Sequence, residues 1–489
     1  MKHTHVSSRR QFLASQLGVG SVALTWMLHQ DGVFAAPAKP PLEREVFDLL
    51  PKPPHREPQA RAMISIFTSG GPSHIDLFDP KPELDKRNGQ DYGGDIKHDS
   101  GAMASRNSKK LMAALWKFKH YGKCGMQMSE LLPNIGGIAD DITLIRSMQT
   151  FNSTHGLAIS AINTGRPLRG RPALGSWLTY ALGNESQDLP AFVVLTDPDS
   201  LPLDRESNWS NGWMPSLFQG TVVRPREPRI LNLDPPAHLR GRAQDSLLSY
   251  LGEFNREHLE QHPGENDLSA RIASYELAAR MQVAAKEALD ISRESAATHK
   301  LYGLDRDETK EFGARCLIAR RLIERGVRFV QIHNGYQQWD QHTNITSELP
   351  AMCLKTDQPS AALVTDLKSR GLLDSTLVHW GGEMGRLPVI ENNPEGKAIG
   401  RDHNPYGFSM WLAGGGVKAG HVYGETDDFG YEAVKDHVTH FDYHATLLHL
   451  FGLNHEQLNF KRSTTEATLT DGQAAKIVGG ILRKPMTKA

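Results

Sequence analysis

Imidazoles and carboxylates recur one or two residues apart in this chain: His74 with Asp76, Asp340 with His342, Asp402 with His403, and Asp442 with His444. A nitrogen and an oxygen donor this close on a loop can reach one cation. Mixed sets of this kind favour Zn²⁺ or Mn²⁺, or Fe, over Ca²⁺ or Mg²⁺. Glu383 and Arg386 flank Gly385; the acid can ligate a cation and the guanidinium can clamp an anionic oxygen bidentately. Each motif also has a plainer reading. Asp76 can cap a turn with His74 in solvent, Glu383 and Arg386 can pair at the surface, and Asp442 can cap the helix that follows it. Taken together, separate loops each delivering an imidazole or a carboxylate point to a divalent metal site. Enough donors exist for one ion, or for two about 4 Å apart. Thr150 to His155 adds hydroxyls and an imidazole ahead of a helical stretch at Gly156 to Asn163, where outward backbone N–H groups suit an anion or where Ser153 or Thr154 simply cap. Such a site is suited to ester hydrolysis, for which a nucleophile is still needed.

The elements that would carry these residues are strands opening into glycine-rich loops. Met63 to Thr68 runs into Ser69-Gly70-Gly71, Val327 to Ile332 leads toward Trp339-Asp340-Gln341-His342, Thr376 to Trp380 into Gly381-Gly382-Glu383, and Ser409 to Ala413 into Gly414-Gly415-Gly416. The segment around His74 and Asp76 follows two glycines and a proline and reads as a loop that is not helical. Glu308 to Arg325 places Phe312, Cys316, Ala319 and Ile323 on one helical face, and Asp366 to Leu373 reads as a second helix before a strand. Strands alternating with helices predict an α/β fold, a large and mostly parallel sheet covered on both faces, with ligands beyond the carboxyl ends of the strands. Residues 185–300 are less regular, contain Trp209 and Trp213, and read as a helical or irregular insertion capping the sheet.

With 55 basic and 56 acidic residues the chain has no bulk attraction for nucleic acid or an anionic membrane. Three cysteines, an odd total without a CxxC pair, argue against a disulfide framework and allow at most one bridge. Ser8-Arg9-Arg10-Gln11-Phe12-Leu13, the apolar run Leu17 to Leu28, and Val33-Phe34-Ala35 look like a twin-arginine export signal over residues 1–35. That run is shorter than the ~20 residues a spanning helix needs, so a mature protein without a transmembrane anchor, periplasmic or secreted, is expected. The proline-rich residues 36–60 read as an extended linker, and the folded body as residues 61–480.

Gly70-Gly71-Pro72-Ser73-His74-Ile75-Asp76, Ala319-Arg320-Arg321-Leu322, Trp339-Asp340-Gln341-His342, Glu383-Met384-Gly385-Arg386, Gly400-Arg401-Asp402-His403 and Ala413-Gly414-Gly415-Gly416 together resemble the bacterial family called domain of unknown function 1501, of the alkaline phosphatase and sulfatase type. The resemblance implies an alkaline phosphatase-like sheet and a metal site drawing on Asp76 or His74, Asp340, His342, Glu383 and His403, with Asp402 beside it. Its relatives place Cys or Ser ten residues before the glycine of a Thr-Gly pair; here that position is His155, so the resemblance implies Thr154 as nucleophile with the register slipped by one, or an attacking water with His155 as ligand or base. The expected function is an exported metal-dependent hydrolase of phosphate or sulfate esters, acting on a small molecule or a polysaccharide. The alternative is a non-catalytic exported binding or assembly protein that keeps the fold and a structural metal.

Overall fold

The structure is a computed structural model that describes residues 47–96, 107–236, 238, 240–262, 265–391, 399–462 and 465–484. The expected export signal lies outside the described residues. Nine strands form the central sheet: β1 (Ala62–Phe67), β2 (Ile142–Gln149), β3 (Phe192–Leu195), β4 (Thr221–Val223), β5 (Phe329–His333), β6 (Thr376–Gly381), β7 (Phe408–Gly414), β8 (His421–Tyr423) and β9 (Val438–Thr439). Their order is β8-β2-β7-β6-β1-β5-β3-β4, with β9 also paired to β2. β1 is central and parallel to both neighbours, with Ile64 opposite Val330 on one side and Val378 on the other. Only β7 runs antiparallel to its partners, β2 and β6. Its amino end therefore shares an edge with the carboxyl ends of the others. The mostly parallel, helix-covered sheet expected from the sequence is what the chain forms.

Strands buried on both faces read as nearly unbroken apolar runs, and Ala-Met-Ile-Ser-Ile-Phe of β1 is one. Alternation divides its side chains between two cores. Ile64 and Ile66 join Val330, Val378 and Trp380 under α4 (Asn266–Leu289), α5 (Lys310–Glu324) and α6 (Ile345–Ser369). Met63 and Phe67 join Phe329, Leu377 and Met410 under α1 (His155–Thr164), α2 (Leu174–Leu182) and α7 (His440–Leu450). The result is three layers, helix, sheet and helix. Phe312, Cys316, Ala319 and Ile323 of α5 are all buried. Arg320 on the same helix is buried too, and its Nε lies 2.9 Å from Asp366 on α6, so it ties two helices together.

Three expectations need correction. The stretch 185–300 is not only a cap, because it contributes β3 and β4 to the sheet and α4 to one helical layer. The described part of the expected linker is not a free spacer. Phe47 is buried with Phe218 and Phe460, and the backbone of Gln59 and Ala60 donates to Leu450 O; one aromatic anchor and a line of backbone bonds hold a proline-rich segment to the body. Finally, His74–Leu77 is a helical turn, begun after Ser73 once Pro72 is passed.

Candidate metal centre

The site is assembled at the carboxyl edge of the sheet. Five residues separate the end of β2 from α1, which has His155 as its first residue and Thr154 as its N-cap. The loop after β5 carries Asp340 and His342, pinned by Trp339, which is buried edge-on against Trp380 of β6 with ring centroids 5.6 Å apart. Glu383 follows β6 directly. His403 belongs to a two-residue strand, His403–Asn404, paired with Gly385–Arg386 just before β7. The loop after β1 closes the base. Gly70 has φ +115°, and a Cβ there would lie 2.6 Å from Asp340 N; only glycine lets the two loops touch this closely.

Three imidazoles converge on one carboxylate. His155 Nε2 is 3.2 Å from Asp340 Oδ2, His342 Nε2 is 2.9 Å from Oδ1, and His403 Nε2 is 3.1 Å from Oδ1. His342 Nε2 and His403 Nε2 are themselves 2.9 Å apart. Each ring is held from behind through Nδ1: His155 by Glu383 Oε1 at 2.7 Å, His342 by Glu391 Oε2 at 2.5 Å, and His403 by Ser153 O at 2.7 Å. Acceptors at Nδ1 place the proton there and leave the Nε2 lone pairs facing inward. Two lone pairs that close repel unless a cation or a proton lies between them. His155 Nε2 is buried and makes no aligned hydrogen bond. Inward nitrogens backed by carboxylates and a carbonyl are what metal-ligating histidines require. Ligand atoms of His155, Asp340, His342 and His403 lie within 4.8 Å of one another, so these residues fit a divalent cation. Asp340 and His342 remain partly exposed, so the cluster opens to solvent.

The same contacts set the proton affinities, which favour a positive charge held among these donors. Burial works to raise the Asp340 carboxyl, but the Arg386 guanidinium and the three imidazoles outweigh it and hold it far below the usual carboxylate range. Burial lowers His342, yet hydrogen bonds to Asp340 and Glu391 win and lift it to about 9. His155 is raised in the same way, by Asp340 and Glu383 against burial. His403 is lowered to about 4 by burial, by Arg386 and by His155, despite Asp340.

Other candidates take different places. Arg386 is fully buried; it donates to Gly71 O, Arg401 O, Gly70 O, Trp339 O and Asp340 Oδ1. With its guanidinium directed at these acceptors it positions Asp340 and is not an anion clamp. Asp76 is not in the cluster. Arg401 pairs with it at 2.8 Å, both side chains fully buried, and Ser73 Oγ and Leu115 N also donate to it. His74 bonds Gly430 O and accepts from Arg386 N, so both ring nitrogens are used away from the site. Glu383 lies behind His155, not among the inward donors. Asp402 accepts from His403 N and forms, with His342 and Glu391, a second group of donors. Thr154 is exposed. Asp442 completes a capping box with Thr439 on α7, and His444 is buried against Ala161 O. Glu391 escaped the sequence reading, because it stands alone after Val389-Ile390 with no histidine beside it.

No curated protein matches the chain. Among solved structures it is similar to a sulfatase from Pseudoalteromonas sp., at 13% identity and TM-score 0.34 over 81% of this chain and 68% of that one. It is similar to the lipoteichoic acid synthase LtaP from Listeria monocytogenes at 9% and 0.36, covering 87% and 78%. A protein in the alkaline phosphatase superfamily from Vibrio parahaemolyticus gives 10% and 0.35, covering 84% and 72%. Likenesses this distant say nothing about activity. In sequence, by contrast, the model described as Protein of unknown function (DUF1501) matches residues 60–482, and the chain belongs to that family.

Proposed function

We propose that this chain is a metal-dependent hydrolase of phosphate or sulfate esters, exported by the twin-arginine route. The observation that carries the proposal is the convergence of three Nδ1-anchored imidazoles on the Asp340 carboxylate at a solvent-reaching edge. Asp340, His342 and His403 are the residues that would hold the ion, and their donor set suits Zn²⁺ or Mn²⁺. A divalent cation bound there supplies Lewis acidity toward an ester oxygen and acidifies a water. His155, oriented by Glu383, exchanges a proton at Nε2 as general base or serves as a fourth ligand. Arg386 locks the rotamer of Asp340. Thr154, at the N-cap of α1, or a water is the nucleophile.

A specific feature favours the second reading, a non-catalytic metal-holding protein: with His155 as a ligand, four protein donors would close the coordination sphere as in structural sites. One experiment separates the two. The purified chain, loaded with Zn²⁺ or Mn²⁺, is assayed against aryl phosphates, aryl sulfates and sulfated polysaccharide, beside Asp340→Ala. The hydrolase reading expects near-stoichiometric metal and turnover, both lost in the variant. Firmly held metal without turnover of any ester overturns it in favour of the second.

A further inference from the structure

Away from the metal centre, α3 (Arg242–Gln261), the helix between α2 and α4, has no buried residue along its 20 residues. Its sequence is nonetheless amphipathic. Leu247, Tyr250, Leu251 and Phe254 recur at helical spacing and are 40%, 63%, 43% and 58% exposed. Tyr250 and Phe254 stack on each other, with ring centroids 6.4 Å apart. α4 adjoins the Leu251 side of the stripe, where Gln244, seven residues earlier on the helix, donates from Nε2 to Gln282, while Leu247, Tyr250 and Phe254 lie farther round. An apolar stripe of this length in water marks a surface made to be covered.

We propose that the stripe is covered by the same stripe of a second copy, in antiparallel pairing about a two-fold axis near Tyr250 and Leu251. The pattern is self-complementary, as a two-fold contact requires. About that axis Leu247 faces Phe254 of the other copy and Tyr250 faces Leu251. The ends carry opposite net charge, Arg240 and Arg242 against Asp245 at the amino end and Glu257 and Glu260 against Arg256 at the carboxyl end, so antiparallel pairing sets a net positive end against a net negative one. The helix dipoles oppose in the same sense. A membrane surface is a poor occupant, because α3 carries two arginines against four acidic residues, whereas interfacial helices are rich in Lys and Arg. A helix about 30 Å long offers less than the ~800 Å² per partner of a standard interface. Self-association is therefore concentration-dependent.

Sedimentation velocity of the full chain across micromolar concentrations should show a monomer–dimer equilibrium, and Leu251→Glu with Phe254→Glu should weaken it at least tenfold at unchanged far-UV circular dichroism and metal content. Geometry gives a second readout that leaves the stripe largely intact. In a Cys124→Ser background, which removes the exposed thiol, Leu251→Cys sits beside the axis and should oxidise to a disulfide dimer. Ala243→Cys, about 22 Å from its copy, should not. Monomer at every concentration, a dimer indifferent to the double variant, equal cross-linking at both positions, or binding of the stripe to anionic vesicles instead would each overturn the proposal.

Discussion

Glu391 shows how a side chain outside the inward donor set shapes the centre. It accepts from His342 Nδ1 and, by its charge, keeps the inward nitrogen basic. Glu391→Gln keeps the size but removes that charge, so metal affinity should fall about 10- to 100-fold, read by competition against a chromogenic chelator. Unchanged affinity would show that Glu391 has no such role. Residue type and spacing were enough to single out His155, Asp340, His342 and His403 as candidates. They could not separate an inward donor from a buried structural charge. Asp76 has the same loop setting and the same neighbouring histidine, but its partner Arg401 lies 325 positions away, and no local pattern announces that pair. Arg386 is misleading for the opposite reason: the carbonyls that surround it come from three separate loops.

Strand-end loops, more than helices, decide where the donors stand, and Gly70 is the tightest point between two of them. Gly70→Ala forces a Cβ into Asp340 N at a positive φ, so it should cost roughly 2–4 kcal/mol of stability and lower metal occupancy together. Urea unfolding and elemental analysis check both; wild-type values in each would mean that the two loops need not touch. At this scale the sequence was clear where apolar runs were long, as in β1, β5, β6 and β7. It was opaque where elements were short or interrupted. β3 and β4 have four and three residues within an irregular stretch. α6 is 25 residues long with Pro350 and Pro359 inside it, and the helix read at Asp366 to Leu373 overlaps only its last turn and runs past its end.

Across the whole molecule, two cores against one sheet leave several histidines buried without charge. Burial lowers His333, His379 and His440 to about 3. Because the unfolded chain takes up these protons near pH 6.5 and the folded one does not, their stabilisation is complete above that pH. It is lost as pH falls toward 3, by up to about 2 kcal/mol per group at pH 5. Thermal midpoints in chelator should therefore drop steadily from pH 7.5 to 5, and a flat or rising profile would contradict this. Among the described residues no helix is long and apolar enough to cross a membrane. The central claim is that the fold gathers distant imidazoles and one carboxylate around a single cation. Anomalous diffraction at the zinc edge from crystals grown with Zn²⁺ tests it most directly. A peak about 2.1 Å from His342 Nε2, His403 Nε2 and an Asp340 oxygen is predicted, and no peak there, or one only at surface residues, would contradict the account.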